Sequence, residues 1–272
     1  MINLNGTLIN DSEEVLNFNN RAFKYGDALF ETVRVENLKA NFLEDHYFRL
    51  MASMRMLRME IPMRFTLEFF EKEIINTVEK NNFSNARVRF SVFRQDGGLY
   101  NPNSNKVDYL IEVGPLNISK KQSYIIDLFK DYYIYSGLLS TVKTTNKITN
   151  VLAGIYAEEN ELDNCILVNE KKQVVEAING NVFVVKGTVI KTPPITDGCI
   201  KGITRKKIIE IICNSEKYSL EEISISPFEL QKADEIFITN AIVGIQPVSR
   251  YRKSIFKTDV SEEMSAELNK LI

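Results

Sequence analysis

The chain has 272 residues, 44% hydrophobic and 26% charged, with a formal net charge of -2, enough to bury one large core or two modest ones. That balance offers no basic footprint for nucleic acid, and no run approaches the roughly 18 unbroken apolar residues of a membrane span. One histidine and three cysteines without CxxC spacing argue against a metal site, a disulfide framework and a hydrolase triad. Any general base is then expected to be a lysine or a carboxylate.

The start of the chain lacks the basic residues and apolar run of a secretory signal, so the cytoplasm is the expected compartment. Asn5-Gly6 predicts an opening hairpin, and the alternation from Glu31 to Val35 before a turn at Glu36-Asn37 predicts a second. Residues 43 to 59 and 66 to 80 carry apolar side chains at helical spacing, so two amphipathic helices should cover one sheet. The methionines on the first helix read as flexible core filler. Strands are predicted over Arg87 to Phe93 and Val107 to Val113, followed by a linker-like stretch from Gly114 to Gln122. Beyond it, a helix after Lys147, short strands at 165–169, 173–176, 181–185 and 189–191, a helix opening at Gly202 and a terminal helix from about Ser261 describe a strand-rich, barrel-like half.

Three features could carry chemistry. Gly202-Ile203-Thr204-Arg205 opens an apolar-periodic helix, and its free N–H groups with one hydroxyl suit an anion, although Thr204 also reads as a plain cap. Glu176 ends a strand before a Gly/Asn turn, where a carboxylate can point into a cavity or simply into solvent. Lys143 closes a polar stretch before a helix; a Schiff-base lysine must be neutral to attack a carbonyl, which burial and neighbouring cations promote.

Together these features lie in a pattern that resembles the class IV aminotransferases. It comprises Lys143-Thr144-Thr145-Asn146-Lys147-Ile148-Thr149-Asn150, Val175-Glu176 with Asn181-Val182-Phe183, Pro193-Pro194, Lys201-Gly202-Ile203-Thr204-Arg205, the strand before Thr239, and Pro247-Val248. The first half matches through residues 21–34 and His46-Tyr47-Phe48-Arg49. The resemblance implies an α+β fold of two domains: a smaller N-terminal α/β sandwich over 1–115, an interdomain loop over 116–121, and a larger pseudo-barrel domain over 122–272. It also implies pyridoxal 5'-phosphate as cofactor and a homodimer. Lys143 would hold the cofactor as a Schiff base (aldimine) and shuttle the substrate proton. Glu176 would face the pyridine nitrogen, and Arg49, Ile203 and Thr204 would cup the phosphate.

Departures from the family pattern bear on the reaction. Transaminating members usually place Ser-Thr or Gly-Thr where this chain has Asn240-Ala241, which removes a hydroxyl from the cup while leaving Asn240 and the Ala241 N–H as donors. That pair is closer to 4-amino-4-deoxychorismate lyases, which release pyruvate and form 4-aminobenzoate. The Arg-x-His element of D-amino-acid aminotransferases is missing from the loop after Arg94. Phe30, Arg34 and Arg89 fall on substrate-lining positions of branched-chain aminotransferases, but Arg87 and Ile148 replace tyrosines there. The expectation is transfer of an amino group between an amino acid, of L-branched-chain type by preference, and a 2-oxo acid, with the lyase as the alternative.

Overall fold

The computed structural model describes all residues, 1–272. Its chain divides into two compact units, Met1–Ile118 with Lys143–Asn146, and Ser119–Val142 with Lys147–Ile272. The four residues that begin at Lys143 thus pack with the first unit although they lie far along the chain.

In the first unit, β1 (Ile2–Leu4), β2 (Thr7–Ile9), β3 (Ala28–Glu36), β4 (Lys39–Ala40), β5 (Ala86–Arg94) and β6 (Val107–Pro115) form one sheet in the order β2-β1-β6-β5-β3-β4. A short helix, α1 (Arg21–Tyr25), precedes β3. Both hairpins exist. Asn5 and Gly6 are left-handed, as a two-residue hairpin turn requires. The second turn sits one residue later than expected, on Asn37 and Leu38, because Val35 pairs with Ala40 and Glu36 with Lys39.

Period-two burial along β3 and β5 sends Glu31, Val33, Val35, Val88, Phe90 and Val92 to one face. On that face lie α2 (Leu43–Met56) and α3 (Leu67–Lys80). Val33, Val88, Phe90 and Ile74 are fully buried, each worth about 1.5–3 kcal/mol of transfer free energy. The first helix ends three residues before the expected Met59. Arg58 turns left-handed and the Met59 N–H bonds the Met54 carbonyl at 2.9 Å, closing the helix end. Thr66 caps α3 by accepting the Phe69 N–H at 3.2 Å.

The second unit holds β7 (Ile125–Leu128), α4 (Ile148–Glu159), β8 (Asn164–Val168), β9 (Val174–Ala177), β10 (Asn181–Lys186), β11 (Val189–Thr192), α5 (Ile203–Cys213), β12 (Ser219–Glu222), α6 (Pro227–Leu230), β13 (Glu235–Asn240), β14 (Gly244–Pro247), β15 (Arg250–Tyr251), β16 (Ser254–Ile255) and α7 (Asp259–Asn269). Two five-stranded sheets, β12-β11-β10-β13-β14 and β16-β15-β7-β8-β9, enclose one core. Ile126, Ile166 and Val174 of one sheet pack there with Val182, Val184, Ile236 and Ile238 of the other. This is the barrel-like arrangement the pattern implied. Gly180 makes the β9–β10 turn possible, since a Cβ there would lie 2.5 Å from the Thr239 carbonyl oxygen. The terminal helix begins at Asp259, ahead of the expected Ser261, because the buried Glu235 carboxylate accepts the Val260 and Ser261 N–H groups. No helix is long and apolar enough to cross a membrane.

Candidate active site

In the first unit, Lys143 is positioned by the open edge of β3. Its short partner β4 pairs only with Val35 and Glu36, so the backbone of Ala28 to Phe30 is unpaired on that side. The segment after Val142 fills the gap: the Phe30 N–H donates to the Lys143 carbonyl at 3.0 Å and the Thr145 N–H to the Ala28 carbonyl at 3.1 Å. Asn146 Nδ2 adds a bond to the Gly26 carbonyl at 3.1 Å. These bonds hold Lys143 Nζ 4.2 Å from the centre of the Phe30 ring.

The helix-free face of the same sheet carries Phe30, Thr32 and Arg34, in register with Ser91, Arg89 and Arg87. Arg89 lies over Phe30 at 3.8 Å, and burial lowers its pKa despite the charge of Glu112, 3.6 Å away. Phe30, Arg89 and Lys143 are therefore brought together. Arg34 is engaged locally, its Nη2 donating to Glu36 Oε1 at 2.7 Å.

On the helix-covered face, Arg49 of α2 meets Glu31, donating from Nε to Oε1 at 2.7 Å and from Nη2 to Oε2 at 2.5 Å. His46, one turn before Arg49, lies 2.7 Å from Glu31 Oε2 through Nδ1. Burial opposes the Glu31 charge, but the Arg49 charge and the hydrogen bonds from His46 and Arg49 outweigh it and hold the carboxyl at about 2. His46 is held below its ordinary value, chiefly by burial; Glu31 opposes this, while Arg49 and Lys143 add to it. An ionised carboxylate can only accept, so Nδ1 is the protonated nitrogen of a neutral imidazole. Glu31 and His46 were not among the candidate residues. The available signal was the chain's only histidine placed three residues before an arginine on a helix.

In the second unit, Glu176 of β9 is buried, and its Oε2 accepts the Ile200 N–H at 2.9 Å. Lys147 feels that carboxylate: burial lowers its pKa and the Glu176 charge resists. Asn181 of β10 donates from Nδ2 to the Ile200 carbonyl at 2.8 Å, tethering the approach to α5. Gly202, the N-cap of α5, has no side chain to offer, and a Cβ there would meet Asn181 Oδ1 at 2.0 Å. Helix α5 therefore starts uncapped with Ile203 and Thr204 buried, and the N–H groups of its first turn have no carbonyl within the helix. Buried donors of this kind fit an anionic group such as a phosphate.

Arg205 is directed elsewhere, to the Pro193 carbonyl at 2.9 Å and Glu222 at 2.6 Å. Asn240 spends its side-chain oxygen on the β13–β14 turn, accepting the Ile242 and Val243 N–H groups at 3.0 and 2.9 Å. Thr239 beside it has a buried hydroxyl without a hydrogen-bond partner. No group of three metal-ligating side chains occurs.

A family model described as amino-transferase class IV matches residues 28–251. This chain belongs to the class IV aminotransferase family. It is an enzyme of that family, and curated relatives carry three kinds of activity in their names. A protein of Methanocaldococcus jannaschii, provisionally described as a branched-chain-amino-acid aminotransferase, is 31% identical over 252 residues, covering 91% of this chain and 86% of its own. D-alanine aminotransferase of Bacillus licheniformis is 27% identical over 258 residues, 90% of this chain and 86% of its own. Aminodeoxychorismate lyase of Vibrio harveyi is 25% identical over 243 residues, 84% of each chain.

Among solved structures, the branched-chain aminotransferase of Escherichia coli superposes with a TM-score of 0.89 at 22% identity, covering 99% of this chain and 93% of its own. The Thermobaculum terrenum branched-chain enzyme in its PLP form gives 0.86 at 20% identity, covering 99% and 92%. At these identities the structural match establishes the class IV fold.

Proposed function

We propose that this class IV enzyme uses pyridoxal 5'-phosphate to move an amino group between an amino acid and a 2-oxo acid, with Lys143 as its catalytic residue. The observation that carries the reading is the seating of Lys143: a backbone clamp on the β3 edge fixes its Nζ 4.2 Å from the centre of the Phe30 ring. When bound, the cofactor supplies an electron sink for the pair left on the substrate carbon after proton removal.

In this assignment Lys143 Nζ would hold the cofactor covalently and, once released, would carry the proton between the substrate carbon and the cofactor. Glu176, oriented by the Ile200 N–H, keeps the ring nitrogen protonated. Arg49 and the N–H groups of Ile203 and Thr204 hold the phosphate, with the Ala241 N–H and the Asn240 amide as further donors. Phe30 and the cationic row of Arg34, Arg87 and Arg89 accept the carboxylate substrate. The L-branched-chain preference belongs to this proposal and is favoured by the Methanocaldococcus relative.

A cytoplasmic homodimer completes the proposal. Cys165, Cys199 and Cys213 are all free thiols, as expected in a reducing compartment. Phe23, Leu99 and Tyr100 are exposed at 82%, 76% and 92%. Arg21 bonds the Leu99 carbonyl at 2.7 Å and Tyr25 packs against Tyr100, so Leu99 and Tyr100 sit beside α1 and offer exposed apolar surface suited to a second copy.

A lyase acting on 4-amino-4-deoxychorismate is the second reading, favoured by the Asn240-Ala241 pair and the Vibrio relative. Protein loaded with pyridoxal phosphate and then freed of excess cofactor is expected to stay yellow, and Lys143→Ala to abolish that bound colour; a colourless wild type would sink the cofactor assignment. Single amino acids should then convert the bound cofactor to its amine form. Pyruvate release from aminodeoxychorismate without such conversion by any amino acid would establish the lyase instead.

A further inference from the structure

We infer that Glu31 and His46 are positioning residues for the cofactor phosphate, acting through Arg49; this rests on the assignment of Arg49 to that phosphate. An arginine that binds an anion from a helix has several rotatable bonds, and an unrestrained side chain loses that freedom on binding. Here the cost has been met in advance. Glu31 holds Nε and Nη2 at 2.7 and 2.5 Å, so the guanidinium plane follows the plane of the carboxylate. His46 fixes the carboxylate in turn, at 2.7 Å from Oε2.

The three residues come from two elements packed on each other. Glu31 lies on β3, while His46 and Arg49 share one face of α2 at a separation of three residues. Glu31 and His46 are each 1% exposed, so water does not compete for these bonds. A charged pair in such a place is weak evidence for stability, because burying both charges costs about as much as their attraction returns. Its effect here is to fix direction. Because Arg49 arrives neutralised by Glu31, the phosphate would be held by an oriented donor.

The test compares two ligands that differ only in the phosphate. Affinity for pyridoxal 5'-phosphate and for unphosphorylated pyridoxal is measured by absorbance titration in wild type, Arg49→Ala, Glu31→Gln, His46→Leu and His46→Asn. Arg49→Ala calibrates the contribution of the arginine to the preference for the phosphorylated ligand. Glu31→Gln and His46→Leu are expected to reduce that preference by at least about tenfold, with pyridoxal affinity within about twofold of wild type. His46→Asn, which retains a donor near the Nδ1 position, should keep most of it.

A preference unchanged in Glu31→Gln and His46→Leu, while Arg49→Ala loses it, overturns the positioning role and leaves the cofactor reading intact. Equal loss of both ligands overturns it too. If Arg49→Ala also keeps the preference, Arg49 is not a phosphate ligand and the inference falls with that assignment. A wild type that binds neither ligand refutes the cofactor reading itself. Should Glu31→Gln fail to fold, His46→Leu decides, and if both unfold the pair is structural and the inference is rejected.

Discussion

Gly202→Ala should destabilise the second unit far more than its backbone conformation suggests. The residue sits at φ -64° and ψ 139°, which alanine adopts without strain. The added Cβ, however, would lie 2.0 Å from Asn181 Oδ1 and 3.2 Å from its Cγ. Asn181 is buried and bonded to the Ile200 carbonyl at 2.8 Å, so it can yield only by giving up that bond. Losing a buried hydrogen bond costs about 1–3 kcal/mol, and overpacking adds about 1–3 kcal/mol. We expect a total of about 2–6 kcal/mol for Gly202→Ala and about 1–3 kcal/mol for Asn181→Ala.

The clash and the bond share one side chain, so the double variant Asn181→Ala/Gly202→Ala should cost at least about 1 kcal/mol less than the sum of the single changes. Urea denaturation followed by circular dichroism measures all three, a suitable probe because the chain has no tryptophan. Additivity within about 0.3–0.5 kcal/mol would show that Asn181 and Gly202 are not coupled, and the account of how the α5 start is held would fail. Cofactor uptake should fall in Gly202→Ala, since the displaced loop leads into the buried N–H groups of Ile203 and Thr204.

Gly154 lies inside α4, and a Cβ added there would meet nothing within 4 Å; Gly154→Ala should therefore stabilise by about 0.5–1 kcal/mol, seen as a higher urea midpoint. Acid should weaken the first unit through Glu31, whose carboxyl falls from its ordinary 4.5 to about 2 on folding. The contribution of its ionised form is complete above the unfolded value and lost as pH falls from about 4.5 toward 2. His46, also depressed, begins to subtract stability as pH falls below its ordinary 6.5. Unfolding free energies of wild type and Glu31→Gln should accordingly converge between about pH 5 and pH 2; parallel curves would contradict the Glu31 assignment.

Much of this protein was legible locally. Period-two and period-3.6 spacing located the β3 and β5 strands and the helices α2 and α3, since their buried faces are written in alternating residues. Left-handed Asn5 and Gly6 were visible for the same local reason. Family-like spacing pointed to Lys143, Glu176 and the Ile203-Thr204 helix start. Boundaries set at a distance were not legible: α7 starts where Glu235, 25 residues before Val260, accepts its first N–H groups, and no local signal encodes that.

The site divides in the same way. Sequence determined which residue types were available at the site positions, because a lysine, a carboxylate and an arginine at these spacings carry their chemistry with them. Only the tertiary structure decided that Lys143 fills the open edge of β3, that Glu31 and His46 fix Arg49, and that Asn181 leaves room for nothing larger than glycine at the α5 cap. Each is a contact between chain segments distant in sequence, set by how strands and helices pack.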